Sequence, residues 1–167
     1  SSDVCSSDLN PSPQIGTFPL PESQQDRFLR RIELGSPAPR AERALLRGEN
    51  RRDMLARITP VMQPAQLLQA QREANEVHVS DALLDYVQAL VNHTRSSADF
   101  AAGLSPRAGL ALTQAARAWA LLDARTHVLP EDVQAVAPAV VSHRLALAGD
   151  LAGENAAARL LRSVAIP

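Results

Sequence analysis

The chain has 167 residues, 46% hydrophobic and 21% charged, with a formal net charge of −1. That is enough apolar material for one packed core, and too little net charge for a protein that grips nucleic-acid backbones regardless of sequence. None of its 17 basic residues is lysine, so a phosphate loop of the G-x-x-x-x-G-K-[ST] type lies nowhere in it.

The first nine residues, "SSDVCSSDL", are rich in Ser and Asp, unlike the Ala/Arg/Leu-rich remainder. They match the translation of a common sequencing adapter, and residues 1–9 are therefore read as read-through rather than native chain. Cys5, the only cysteine, lies inside them and by itself supports neither a disulfide nor a metal site. "NPSPQIGTFPLPESQQDRF" follows, a proline-rich loop feeding a short helix that can start at Pro21. The alternation in "LRRIEL" predicts a short strand over 29–34, closed by Gly35-Ser36-Pro37. A lone strand has no sheet to join, so Leu29, Ile32 and Leu34 are expected to be exposed.

From Pro39 onward the periodicity is helical. "APRAERALLRGENRRDMLARI" predicts a charged helix interrupted near Gly48, and "QPAQLLQAQREANE" a second that starts at Pro64. "VHVS" is a short extended link to a helix capped by Ser80, with Leu83, Leu84, Val87, Leu90 and Val91 as its apolar stripe. "LSPRAGLALTQAARAWALLDAR" begins with Ser105 as cap and Pro106 as first residue. It is apolar nearly all round and reads as the buried central helix, with Trp119 in the core. "VLPEDVQAVAPAVVSHRL" starts a helix at Pro130 that Pro138 should kink or restart, and "NAAARLLRSV" closes the chain as a last helix.

Three residues stand out for chemistry. Arg107 sits one residue inside the Ser105-Pro106 helix start, where free N–H groups and the positive helix end collect. A guanidinium fork there matches phosphate geometry; the plain alternative is an arginine on a solvated helix end. Arg27, anchored by Phe28, can reach a neighbouring subunit as an arginine finger does. An ion pair with Glu22 or Asp26 is its plain alternative, and Arg30 and Arg31 are rivals for the role. Asn10 can orient a water or a phosphate oxygen, or can simply start an Asn-Pro turn. His78, His93, His127 and His143 lack metal-ligand spacing. Arg47, Arg51, Arg52 and Arg57, interleaved with Glu49 and Asp53, read as a solvated helix face.

Together these stretches resemble the MoxR-type AAA+ ATPases. "NPSPQIGTFPLPESQQDRF" is similar to that family's segment from the sensor-1 asparagine to the arginine finger, "GLSPRAGLAL" to its sensor-2 helix, and "VLPEDVQAVAPAVVSHRL" with the final "VAIP" to its closing helices. The resemblance implies a mainly α fold: residues 10–36 as the end of an α/β ATPase core, reduced to a loop, a short helix and one strand, and 37–167 as a helical lid. It implies Asn10 as sensor 1 and Arg27 as arginine finger, the catalytic residues, with Arg107 as the sensor-2 nucleotide ligand. The cofactors are then ATP and Mg2+, bound mainly by a nucleotide-binding half that precedes this chain. No phosphate loop or Asp-Glu magnesium site precedes Asn10, so the chain is expected to be a fragment inactive by itself.

Through the same resemblance the whole protein is expected to be a cytoplasmic remodelling chaperone. It would work as a ring of copies of itself, a hexamer, with a von Willebrand factor A-domain protein as partner. No nucleic acid is expected, and no apolar run approaches the roughly 20 residues that span a membrane. A non-enzymatic helical interaction module and a magnesium-chelatase-like motor subunit are the alternatives.

Overall fold

The computed structural model describes residues 21–48, 54–55, 57–151 and 154–166. Seven α-helices occur among them: α1 Glu22–Gln25, α2 Pro39–Leu46, α3 Pro64–Glu76, α4 Asp81–Ser96, α5 Pro106–Leu122, α6 Pro130–Val141 and α7 Ala156–Ser163. Proline opens α2, α3, α5 and α6, where its missing N–H costs nothing and its fixed φ suits the first turn. Ser80, Ser105 and Asn155 cap α4, α5 and α7 through side-chain oxygens that accept from Leu83, Ala108 and Ala158 N–H. At α3 the side chain of Gln66 reaches back to accept from Gln63 N–H at 2.7 Å. α2 stops before Gly48, whose φ of +80° a side chain would strain.

The core is shared by α4, α5, α6 and α7. α5 contributes Ala108, Ala111, Leu112, Ala116 and Ala120, spaced at one helical turn, so that neighbouring helices approach over small side chains. Against this stripe lie Leu83, Val87, Leu90 and Val91 of α4 and Val133, Val136, Ala137, Val140 and Val141 of α6, while Ala157 and Leu160 of α7 pack on α4 and α6. Two isolated β-bridges tie the loops together. His78 pairs with His127 in parallel, and Phe100 pairs with Leu147 antiparallel. α3 packs on α5 without burying any residue fully.

The mainly helical class agrees with the sequence, and several details differ. No strand forms over 29–34. The segment runs as irregular chain with one backbone bond to the lid, Arg31 N–H to Ala139 O at 2.8 Å, because the described residues offer no second strand. Leu29, Ile32 and Leu34 are exposed, as expected of a strand without its sheet. Trp119 is not core: it is 48% exposed, because it falls beside the alanine stripe rather than on it. Leu110 and Leu122 also face water, so α5 is buried on one face and not all round, and Leu84 drops out of the α4 stripe while Tyr86 joins the core. Of the two outcomes expected at Pro138, a restart does not occur, since α6 runs through it to Val141.

Among the described residues, no helix is long and apolar enough to cross a membrane.

Candidate functional site: a corner of arginines at the start of α5

The turn that leads into α5 is fixed from α4. Thr94, buried, donates from Oγ1 to Val91 O at 2.7 Å and accepts from Leu104 N–H at 2.9 Å. Arg95 Nε donates to Leu104 O at 2.9 Å. Gly103 fits between them because it has no side chain: a Cβ there would lie 2.9 Å from Arg95 Cα. These contacts set where Ser105 starts the helix and therefore where Arg107 stands.

Ser105 Oγ does two jobs. It accepts from Ala108 N–H at 3.3 Å and donates to the Asp26 carboxylate, whose oxygens lie 3.0 and 2.9 Å away. Arg107, two residues on, is exposed and forms no side-chain hydrogen bond or ion pair with the described residues. It adds its charge to the positive end of a 17-residue helix. An anion is the ligand such an arrangement favours, through the charge of Arg107 and the positive end of the helix.

Arg27 follows Asp26 in the turn after α1 and is likewise exposed, with no side-chain partner among the described residues. The ion pair with Asp26 offered by the sequence does not form, because Asp26 is committed to Ser105 and to Arg144, whose Nε donates to Asp26 Oδ1 at 3.0 Å. Arg31, a rival for the role of Arg27, pairs with Glu33 at 2.7 Å. Asn10 lies outside the described residues. The structure thus sets Arg27 and Arg107 on either side of one Asp26–Ser105 bond, in one corner of the chain.

Sequence reasoning missed Arg144 and Asp26. Arg144 has a side chain only 4% exposed. Burial pulls its pKa down, the Asp26 carboxylate raises it, and the nearby charge of Arg107 lowers it; the net direction is down from an already very high value, and it stays charged. His143 beside it faces Phe28 O from Nε2 at 3.2 Å. A carbonyl only accepts, so the proton sits on Nε2. Burial, then the Arg144 charge, hold this imidazole below its ordinary pKa, in its neutral form. The one sequence signal was a polar pair, His143-Arg144, ending a largely apolar run.

A second buried charge braces the far end of α5. Asp132, 2% exposed, accepts from Leu129 N–H at 2.8 Å and from both terminal nitrogens of Arg125. Burial pushes this carboxyl up, but the bonds from Arg125 and Leu129 outweigh it and leave it below its ordinary value. Among the described residues no group of three or more His, Cys, Asp or Glu is placed to hold a metal ion.

Comparison with known proteins decides the family. The AAA lid domain model matches residues 92–162, which span α5, α6 and most of α7 together with the end of α4. The chain is 37% identical to Chaperone MoxR1 of Mycobacterium tuberculosis over 95% of its length, and 36% identical to Protein MoxR of Paracoccus denitrificans over 84%. The chain belongs to the MoxR-type AAA+ ATPases. A Bacillus subtilis relative, the uncharacterized protein YeaC, is 36% identical over 83% of the chain. The fold matches a crystal structure of a provisionally assigned ATPase from Cytophaga hutchinsonii, with a TM-score of 0.77 at 30% identity over 95% of this chain and 52% of that one. This MoxR-type chain spans 45% of the M. tuberculosis protein, 47% of the P. denitrificans protein and 43% of YeaC.

Proposed function

We propose that this chain is the lid-bearing part of a MoxR-type protein that hydrolyses ATP and uses the cycle to remodel client proteins. The observation that carries the reading is Arg107: an exposed guanidinium at the Ser105-capped start of α5, with no side-chain partner among the described residues. A triphosphate bound against that helix start meets a fixed dipole and a fork of donors, with no reorganisation needed. Arg107 thus senses the nucleotide from the lid. Arg27 projects into the site of the next copy in a ring, a hexamer, and stabilises the charge that develops on the transferred phosphoryl group. Asn10 positions the attacking water.

The two arginines fit the phosphates of ATP. The described residues do not fit Mg2+, for they offer no carboxylate cluster, and the chain has no lysine for a phosphate loop. Both belong to the remainder of a longer protein, so turnover is a property of that protein and this chain by itself is inactive. A von Willebrand factor A-domain protein as partner and a cytoplasmic location complete the proposal. They are supported by likeness to the family alone.

The test uses the longer protein. Arg27→Ala is expected to abolish steady-state ATP turnover while leaving nucleotide binding within about threefold, and Arg107→Ala to weaken nucleotide binding by about tenfold or more. Mixing Arg27→Ala subunits with subunits that carry a disabled phosphate loop should restore part of the activity, since each supplies what the other lacks. Full turnover by Arg27→Ala would refute the finger assignment. Unchanged nucleotide affinity in Arg107→Ala would refute the sensor.

A further inference from the structure

Arg144 spends its guanidinium in an unusual way. An arginine has five N–H donors in a fixed fork. Here Nε donates to Asp26 Oδ1 at 3.0 Å, Nη2 to Asp26 O at 3.1 Å and to Phe28 O, and Nη1 to Leu29 O at 3.3 Å and to Val140 O. Four of these five bonds end on residues 26, 28 and 29. They enclose Arg27, whose own side chain has no partner among the described residues. His143 adds a second donor to Phe28 O at 3.2 Å.

The same carboxylate that receives Arg144 also receives Ser105 Oγ, two residues before Arg107. Val140, at the other end of the fork, lies on α6 in the lid core. One buried side chain therefore joins the turn that carries Arg27, the helix start that carries Arg107 and the lid itself. If it merely satisfied a buried charge, one carboxylate and a water would do. The spread of its donors over the backbone on both sides of Arg27 does more: it removes that turn's freedom to move independently of α5.

We propose that Arg144, through Asp26, is a positioning residue that fixes Arg27 relative to Arg107, so that a lid movement sensed by Arg107 at one nucleotide is delivered to the Arg27 that faces the next. The inference rests on the reading of Arg27 and Arg107 given above. Neither Arg144 nor Asp26 touches nucleotide; both act through the turn.

The test again uses the longer protein and follows ATP turnover. Arg144→Gln and Asp26→Asn should each lower kcat about tenfold while KM for ATP changes less than about threefold. Arg159→Gln is the control for simple loss of stability. It removes an arginine that pairs with Asp99 at 2.8 Å and Glu154 at 3.0 Å, away from the corner, and should lower the melting temperature without changing kcat beyond about twofold. Should Arg144→Gln fail to fold, Asp26→Asn decides, since it removes the charge without vacating the space. Normal kcat in Asp26→Asn would overturn the proposal while leaving the functional reading intact. Normal turnover in Arg27→Ala itself would overturn both.

Discussion

Two parts of this chain use similar residues to opposite effect. From Val77 onward the described chain buries a continuous set of Val, Leu and Ala side chains, many with no exposure at all. Between 21 and 76 no described residue is buried, although the segment holds Leu45, Leu46, Leu55, Ile58, Leu67 and Leu68. Amphipathicity does not explain the contrast, for α2 separates its apolar and charged residues clearly and still buries none. A helix supplies an apolar face; only an opposing face turns it into stability. α4 to α7 supply one another with such faces, whereas the earlier turn at 26–31 is held to the lid by polar bonds donated by Arg144 and His143 and by Arg31 N–H donating to Ala139 O.

The contrast is sharpest at Leu112, which has no exposure and lies on the α5 stripe where α4 and α6 meet it. Leu112→Ala should cost about 3 kcal/mol, the lost transfer energy plus that of an incompletely closed cavity. Urea unfolding of this chain, followed by circular dichroism, measures it. A cost under about 1 kcal/mol would mean that the lid core is loose and that the two regions differ less than their burial implies.

Asp132→Asn probes the polar brace of the same core, with a smaller expected effect. The amide keeps the shape but gives up the charge that receives Arg125, for a loss of about 1–2 kcal/mol at neutral pH. The carboxyl has a lowered pKa in the folded chain, so its contribution is full above the ordinary carboxylate value of about 3.9 and is lost as pH falls through the lower folded value. The gap between wild type and Asp132→Asn should therefore close in acid below about pH 4. A gap that stays constant down to pH 2.5, about a unit and a half below that ordinary value, would show that the charge contributes nothing.

Much of the lid was legible because its signals are local. Ser105-Pro106 and Ser80 announced their helices through capping chemistry that depends on only three or four residues. The place of Arg107 just inside the start of α5 was legible for the same reason. The failures are all matters of distance along the chain. Trp119 looked like core by residue type, but which face of α5 is buried depends on where α4 and α6 arrive. The strand expected at 29–34 needed partners that the described residues lack. Arg144 was invisible because most of its partners are backbone oxygens, which carry no mark in the sequence, and all but one lie far away at 26–29. Asp26 was seen only as a neighbour for Arg27, since its real partners, Ser105 and Arg144, come together only when the lid folds.

The smallest effect belongs to the uncovered side. Leu34 is 93% exposed and lies in the extended segment that follows Arg31. Its side chain meets water in the folded chain almost as fully as in the unfolded one, so the hydrophobic term cancels between the two states. Leu34→Ser should then change the unfolding free energy by less than about 0.5 kcal/mol in the same urea experiment. A larger loss, approaching that of Leu112→Ala, would mean that this leucine is covered in solution. Repeating the measurement over a range of protein concentrations would separate the two ways to cover it: contact between copies makes the loss depend on concentration, whereas folding back onto the chain does not.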